Sequence, residues 1–375
     1  MFLRPMLVVL VLALPAAAAE KPQDIEAALG RAGKNRTEIE KALVESPAAM
    51  KPGMEFLVAN MPDADLTSLK AAYLLENLKL AYAARAEMPW AKDIPEDVFL
   101  NNVLPYANVN ETRDAWRKDL YELAKPIVKD CTTAAEAAQK LNGMLFEKLK
   151  VKYSTERKKA DQSPLESMET GKASCTGLSI LLSDACRSVC VPTRIVGTPL
   201  WANKRGNHTW VEIWDKRWRF TGACEQDPAG LDRGWFVGDA SQAKKDVREH
   251  AIYASSFKKT DTTFPLVWAP RRNDIFAENV TDRYASKTPP KADAARIAVR
   301  VWKAGKKERT VMDVTLTGGA KPLAGKSRGE TNDLNDILAF DATPGTEYVV
   351  KVGGVEKKVA AEAGKELLIE IELPK

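Results

Sequence analysis

Two short stretches decide how the middle of the chain folds: GKASCTGLSILL at residues 171–182 and GNHTWVEIWD at residues 206–215. In the first stretch, apolar residues recur at helical spacing from Leu178 onward, after the polar residues Ser174 and Cys175. This pattern predicts a helix that begins at one of these two residues. The second stretch alternates between two sets of side chains, which predicts a β-strand.

Two neighbouring segments extend this pattern into a small sheet. Residues 192–199 are rich in β-branched side chains, and residues 218–223 form a third run of strand-like composition. We expect the three strands to follow the helix as an antiparallel meander. The sequence therefore predicts an α+β core of one helix and an antiparallel sheet.

Cys175 has the surroundings of a nucleophile. A thiol in the first turn of a helix lies beside unpaired backbone amides and the positive end of the helix dipole, which stabilises the thiolate. The backbone amide of the same residue can also stabilise an oxyanion. Because Lys172, Ser174 and Thr176 flank it, the sequence indicates an accessible cysteine rather than one in the core.

The choice of a base for this thiol is narrow, because the chain has two histidines, His208 and His250. His208 follows Gly206 and Asn207 at the start of the predicted strand, and active-site groups are common at such a sheet edge. We therefore predict that Cys175 and His208 form a pair in which the imidazole moves the proton.

A third group is needed to orient the imidazole and to stabilise its charged form. Glu225 and Asp227 follow the next predicted strand, and either carboxylate can accept a hydrogen bond from His208. The residue pattern alone leaves both alternatives open.

Composition and the first residues indicate an exported protein. Residues 1–19 have the pattern of a signal peptide, with Arg4 before an apolar run and small residues up to a cleavage site after Ala19. No later window is apolar for long enough to span a membrane after cleavage, so we expect a secreted or periplasmic protein. The net charge of +5, from 56 basic and 51 acidic residues, is too small and too evenly mixed for a nucleic-acid-binding protein.

The cysteine count fits the same compartment. An odd number of cysteines in a secreted protein indicates a reactive thiol in addition to disulfides. If Cys175 stays free, two disulfides are expected among the other four cysteines, which are Cys131, Cys186, Cys190 and Cys224.

Changes in residue pattern along the chain predict four parts. Residues 1–19 are the signal peptide, and residues 20–149 form a helical N-terminal region. Residues 150–288 contain the helix and strands described above. Residues 289–375 begin with a linker and continue as short alternating runs separated by glycine-rich turns, which predicts a β-sandwich.

The residues around the predicted pair resemble the transglutaminase-like superfamily, over roughly residues 150–236. The resemblance rests on the segments 171–182, 185–197 and 207–214 and on the strand that begins at Trp218. It implies a papain-like core in which Cys175 is the nucleophile and His208 is the general base and acid.

The resemblance also bears on the third group. Members of the superfamily usually carry an aspartate at the end of the strand after the histidine, and this position falls near Gly222 here. Glu225 is the nearest acid, whereas Asp227 keeps the family's Asp-Pro pair at a longer spacing. The resemblance therefore favours Glu225 and leaves Asp227 as the alternative.

Further site residues are expected around the pair. By analogy with papain-like enzymes, Gln162 is a candidate donor to the oxyanion. Trp201, Asn207 and Trp210 are predicted to contact the substrate, and Trp201 is expected to line the cleft because it lies close to the histidine loop. No metal or other cofactor is predicted. A zinc site built from Cys175, His208, Cys186 and Cys224 would lack a close Cys-x-x-Cys pair.

Together these patterns predict an exported thiol enzyme that acts on amide bonds of peptides or proteins through a cysteine thioester. Transfer of the acyl group to water would make it a protease or amidase, and transfer to an amine would make it a transglutaminase. For an exported protein we expect hydrolysis, with cell-wall peptides among the candidate substrates. The alternative is an inactive binding or scaffold protein that retains the fold, which would explain Gly222 at the position of the expected acid.

Overall fold

A computed structural model of the chain describes residues 22–286 and 293–375. The predicted signal peptide at residues 1–19 lies outside these residues. Among the helices in the described ranges, none is long and apolar enough to cross a membrane.

Helices fill the first part of the described chain, as the apolar spacing predicts. Eight α-helices come first: α1 (Pro22–Arg31), α2 (Arg36–Glu45), α3 (Lys51–Asn60), α4 (Asp63–Leu66), α5 (Ala71–Glu87), α6 (Glu96–Asn102), α7 (Arg117–Val128) and α8 (Ala134–Leu149). Three more follow: α9 (Pro164–Thr170), α10 (Cys175–Ser188) and α11 (Val237–Ala240). In α8 the buried residues recur every three or four positions, so one face of the helix packs into the core.

The central sheet has six antiparallel strands in the order β5-β4-β3-β6-β8-β7. A short parallel pair precedes it, formed by β1 (Lys152–Tyr153) and β2 (Lys172–Ala173). The six strands are β3 (Thr193–Thr198), β4 (His208–Trp214), β5 (Trp218–Thr221), β6 (Tyr253–Ser256), β7 (Thr262–Thr263) and β8 (Phe276–Asn279).

α10 packs against β3 and β4. Alternate residues of these strands enter two different hydrophobic clusters, with Ile195 and Val211 on the side of α10 and Val196 and Trp210 in an aromatic cluster. This division follows from the two-residue period of a strand. The predicted α+β core of helix and antiparallel sheet is confirmed.

The helical N-terminal region and the central sheet share one hydrophobic core, which extends from Ala28 to Ala277. α7 and α8 pack directly on α10. The helix that carries Cys175 is therefore held between the sheet and the N-terminal helices.

The last part of the chain is the predicted β-sandwich. Its strands are β9 (Ala295–Trp302), β10 (Asp313–Thr317), β11 (Leu323–Lys326), β12 (Leu338–Ala342), β13 (Glu347–Val352), β14 (Val355–Ala360) and β15 (Glu366–Glu372). One sheet has the order β11-β10-β13-β14 and the other β12-β9-β15. Val299, Leu316 and Val350 belong to a separate hydrophobic core formed by these strands.

The prediction of two disulfides is wrong, because all five cysteines are free thiols. Cys131, Cys186 and Cys190 are packed into the main hydrophobic core as small apolar side chains. The cysteine count therefore reflects core packing rather than cross-linking.

Candidate active site

Cys175 is the first residue of α10, directly after the capping residue Ser174. The Ser174 hydroxyl accepts a hydrogen bond from the Gly177 amide (3.1 Å) and donates one to the Ala160 carbonyl (2.5 Å). Gly177 permits close packing, since a Cβ at this position would lie 3.1 Å from the Ala173 Cβ. The thiol is thus held at the N-terminal end of a helix, beside amides that have no acceptor within the helix.

Hydrogen bonds connect the cysteine helix to the histidine strand. Thr176 and Thr209, which directly follow Cys175 and His208, share a hydroxyl hydrogen bond of 3.0 Å. One turn further along α10, Ser179 donates to the Thr209 carbonyl at 3.3 Å. These contacts explain how the residues around the two motifs bring the thiol and the imidazole together.

A carboxylate that the sequence analysis missed lies beside this pair. A ligand atom each of Cys175, His208 and Asp333 lies within 4.8 Å of the other two. Nδ1 of His208 is 3.5 Å from Oδ2 of Asp333, and both side chains are 1% exposed. Asp333 belongs to the segment between β11 and β12, so it reaches the pair from the β-sandwich. Its neighbours Asn332, Asn335 and Asp336 give the pattern of an ordinary polar turn, which carries no signal of a site.

Asp333 faces one nitrogen of the imidazole. Nδ1 of His208 is the ring atom that lies 3.5 Å from Oδ2 of Asp333. Both ring nitrogens are buried, and neither makes a hydrogen bond of normal geometry within the described part of the chain. Nε2 is therefore the nitrogen that remains available to a further group.

Aromatic rings surround the imidazole of His208. The ring centroids of Trp235 and Phe236 lie 4.6 and 5.0 Å from it, and those of Trp210 and Trp201 lie 5.8 and 6.1 Å away. Trp201 and Trp210 are 1% and 0% exposed. The expectation that Trp201 lines an open cleft is therefore corrected: both tryptophans pack around the histidine in the core and present no surface to a ligand.

Glu225 is hydrogen-bonded to one of the aromatic side chains that surround the imidazole. Nε1 of Trp235 donates a 2.9 Å hydrogen bond to Oε2 of Glu225. A Cβ added at Gly222 would lie 2.2 Å from the same oxygen, so the Glu225 carboxylate occupies the space that a side chain at position 222 would need. Burial raises the pKa of Glu225 to about 7, against the opposing effect of nearby His208.

The carboxylate of Asp227, the alternative acid, contacts a surface turn and not the imidazole of His208. Its carboxylate accepts hydrogen bonds from the Ala229 amide at 2.8 Å and from Arg233 at 3.0 Å. These contacts lower the pKa of Asp227 and form a local turn at the surface. Among the described residues, the acid that forms an ion pair with His208 within 4.0 Å is Asp333, and neither Glu225 nor Asp227 does so.

The Gln162 side chain and the Asn207 backbone make hydrogen bonds within the protein. The Gln162 side-chain amide donates hydrogen bonds to Glu166 O, Thr170 Oγ1 and Lys172 O. It therefore has no N–H group left for an oxyanion, and the prediction that it is an oxyanion donor is corrected. The Asn207 carbonyl accepts a 2.7 Å hydrogen bond from the Asn335 side chain, so this residue contacts the β-sandwich.

The charges of the site favour an ionised histidine. Burial alone would lower the pKa of His208, but contacts with Asp333 and Cys175 outweigh it and raise that pKa well above its ordinary value. Burial would raise the pKa of Asp333, yet the adjacent His208 lowers it. The pair is therefore an imidazolium and a carboxylate beside the thiol.

The remaining cysteines are poor nucleophiles. Burial raises the pKa of each of the other four thiols, those of Cys131, Cys186, Cys190 and Cys224. Cys186 and Cys224 also lie outside the group formed by Cys175, His208 and Asp333, so the four-residue zinc site weighed above is not present among the described residues.

Comparison with known proteins supports a family assignment for this region. Residues 121–240, which include Cys175 and His208, match the family model of the transglutaminase-like superfamily. No match was found among curated proteins.

Two solved structures give distant matches. A candidate cysteine protease from Cytophaga hutchinsonii is 16% identical, with a TM-score of 0.30, over 39% of this chain and 50% of its own. Red sea bream transglutaminase is 8% identical, with a TM-score of 0.34, over 73% of this chain and 65% of its own. This chain thus spans half of the first protein and 65% of the second.

The family match covers the same helix and strands that carry the cysteine and histidine motifs. The chain therefore contains a domain of the transglutaminase-like superfamily.

Proposed function

We propose that the protein is an exported thiol enzyme that cleaves amide bonds of peptides or proteins through a thioester on Cys175. The observation that supports this most is the half-exposed thiol at the start of α10, within 4.8 Å of a ligand atom of buried His208. A cysteine becomes an effective nucleophile in such a position because both the helix end and the imidazolium stabilise its thiolate.

In the proposed reaction the Cys175 sulfur bonds to the carbonyl carbon of the amide, and the backbone amide at the start of α10 stabilises the oxyanion. The C–N bond then breaks as His208 gives its proton to the leaving amine. The acyl group stays on sulfur as a thioester. Water, deprotonated by His208, attacks the thioester, releases a carboxylic acid and restores the thiolate and imidazolium.

We propose Glu225 as the carboxylate that orients His208. Its support is the unpartnered Nε2, the Trp235 side chain that contacts both residues, and the carboxylate in the space beside Gly222. Asp333 is paired with Nδ1 at 3.5 Å, so Nε2 is the nitrogen left for Glu225.

Hydrolysis is the proposed outcome, and peptides of the cell wall or other extracellular proteins are the proposed substrates. The export pattern of the sequence supports this choice. Transfer to an amine uses the same thioester, so the acceptor distinguishes the two reactions.

Trapping the acyl-enzyme tests the proposal. The protein is incubated with p-nitrophenyl acetate, quenched in acid and mapped by peptide mass spectrometry, with Cys224→Ser as the matched control for the second partly exposed thiol. We expect the acetyl group on Cys175 in the wild type and in Cys224→Ser, and none there in Cys175→Ala. With cadaverine present, hydrolysis predicts that free acetate exceeds acetylated amine. Acylation that is absent or unaffected by Cys175→Ala would support the inactive binding protein instead.

A further inference from the structure

We propose that Cys175, His208 and Asp333 form a binding site for a divalent, thiophilic metal ion such as Zn²⁺. The three side chains offer a thiolate sulfur, an imidazole nitrogen and a carboxylate oxygen within 4.8 Å of one another. Zn²⁺ uses these donor types, and open zinc sites combine three protein ligands with a water or substrate. The site is defined by its ligands and does not depend on the proposed reaction.

The spacing of the donors fits such an ion. With bonds of about 2.0–2.3 Å, the ligands of tetrahedral zinc lie roughly 3.3–3.8 Å apart. Nδ1 of His208 and Oδ2 of Asp333 are 3.5 Å apart. Since the sulfur lies within 4.8 Å of the other two ligand atoms, its distance to each has to shorten by no more than about 1.5 Å to complete the set.

The donor atoms are buried without other partners. Nδ1 of His208 and Oδ2 of Asp333 are both inaccessible to solvent and make no hydrogen bond in the described part of the chain. In the described part of the chain these two atoms contact each other as an ion pair of 3.5 Å. A cation bound between them would displace the proton of that pair and be ligated by both atoms. The partly exposed Cys175 leaves a route of entry and a fourth position for water.

Asp333 is held in place by the β-sandwich. Arg309, which is 2% exposed, donates to the carbonyl oxygens of Asp333 (3.0 Å) and Asn332 (2.7 Å). The Asn335 amide donates to Oδ1 of Asp333 at 2.8 Å. Because Oδ1 is occupied in this way, Oδ2 is the oxygen presented to His208.

The same segment is anchored to the central domain on both sides of Asp333. The Leu334 amide donates to the Tyr153 hydroxyl at 3.1 Å, and the Asn335 side chain donates to the Asn207 carbonyl at 2.7 Å. The site therefore needs both the transglutaminase-like domain and the docked β-sandwich. An ion bound there would hold the Cys175 thiolate and keep it from a substrate, so the metal would act as a reversible inhibitor.

Metal titration of the full protein tests the proposal. Chelator-treated protein is titrated with Zn²⁺ by calorimetry and with Co²⁺ by absorption, because cobalt bound to thiolate gives a charge-transfer band. We expect one equivalent to bind, and Asp333→Asn to weaken binding at least about tenfold. Asp341→Asn, a change at an exposed carboxylate of the same sandwich, should leave the affinity unchanged.

A second arm distinguishes the metal site from the proposed reaction. The thiolate band should disappear in Cys175→Ser, and Zn²⁺ should protect Cys175 from iodoacetamide. Absence of binding, or equal affinity in the wild type and a correctly folded Asp333→Asn, would overturn the metal proposal. Acylation of Cys175 in the presence of chelator would still support the thiol enzyme, so the two failures are separable.

Discussion

At the scale of single residues, the two nitrogens of His208 have different surroundings. Nδ1 forms an ion pair of 3.5 Å with Asp333, and neither nitrogen makes a hydrogen bond among the described residues, so Nε2 is free to accept a partner. The ring that packs closest to the imidazole is Trp235, which donates to Glu225. A hydrogen bond from Nε2 to Glu225 would complete the nucleophile, base and acid.

Glu225→Gln tests this arrangement through the pH dependence of kcat/KM. Because the pKa of Glu225 is raised to about 7, the group is protonated below this pH and becomes the required carboxylate above it. We expect wild-type kcat/KM for p-nitrophenyl acetate to rise with pH through about 7. Glu225→Gln should lose this rise and about 10²-fold of kcat/KM above it.

Asp227→Asn is the matched control, because Asp227 contacts Arg233 and a turn amide at the surface. Its pH profile should follow that of the wild type. If the rise near pH 7 persists in Glu225→Gln but is lost in Asp227→Asn, the assignment of the acid is incorrect.

Of the two acids near His208, Glu225 could be predicted from the sequence and Asp333 could not. Glu225 follows the strand after His208, so local order along the chain brings it close. Asp333 lies in a polar turn of a different sheet, and its approach depends on docking of the β-sandwich. Contacts between distant parts of a chain leave no local pattern, which is why this carboxylate was not predicted.

Among the structural elements, α10 depends on its cap for both stability and chemistry. The Ser174 hydroxyl satisfies the Gly177 amide and bonds to the Ala160 carbonyl. Ser174→Ala should lower the free energy of unfolding by about 1 kcal/mol, measured by urea denaturation. The substitution should also slow alkylation of Cys175, because the first turn of the helix then loses the hydrogen bonds that fix the position of the thiol.

Ser163→Ala provides the comparison at α9, where Ser163 caps the helix by accepting a hydrogen bond from the Glu166 amide. A similar loss of stability is expected there, with little change in Cys175 alkylation. Equal effects of both variants on the alkylation rate would mean that the cap at α10 has no specific role in placing the thiol.

Helix and strand patterns were the most predictable features of the elements. α10 and β4 begin at Cys175 and His208, because capping residues and strict alternation are local signals. The roles of Trp201 and Trp210 were harder to predict from the sequence, since a tryptophan is equally common in a core and in a binding cleft. Their burial in the structure shows that both belong to the core.

For the molecule as a whole, the β-sandwich is part of the site environment. The segment 327–337 meets the central domain through Tyr153, Asn207 and His208. Arg205 adds an ion pair of 3.2 Å with Glu366 of β15. Access to the thiol should therefore vary with the docking of the sandwich.

Asn335→Ala tests this docking, since it removes the 2.7 Å hydrogen bond to Asn207. The loss of one hydrogen bond is worth about 1 kcal/mol, so hydrogen exchange in the segment 327–337 should quicken about fivefold. Leu334→Ala keeps the backbone contact with Tyr153 and should leave the exchange unchanged. Unchanged exchange in Asn335→Ala would show that this contact does not hold the segment.

The central claim is that His208 activates Cys175, and the rate of alkylation by iodoacetamide across pH tests it most directly. Peptide mass spectrometry should find Cys175 modified near pH 6 much faster than a cysteine in an unstructured peptide. The three buried thiols should stay unmodified, and the partly exposed Cys224 should react slowly because burial raises its pKa. His208→Ala should remove most of this advantage, and His250→Ala, the change at the other histidine, should retain it. A Cys175 that reacts like an ordinary thiol, or equally fast in His208→Ala, would contradict the claim.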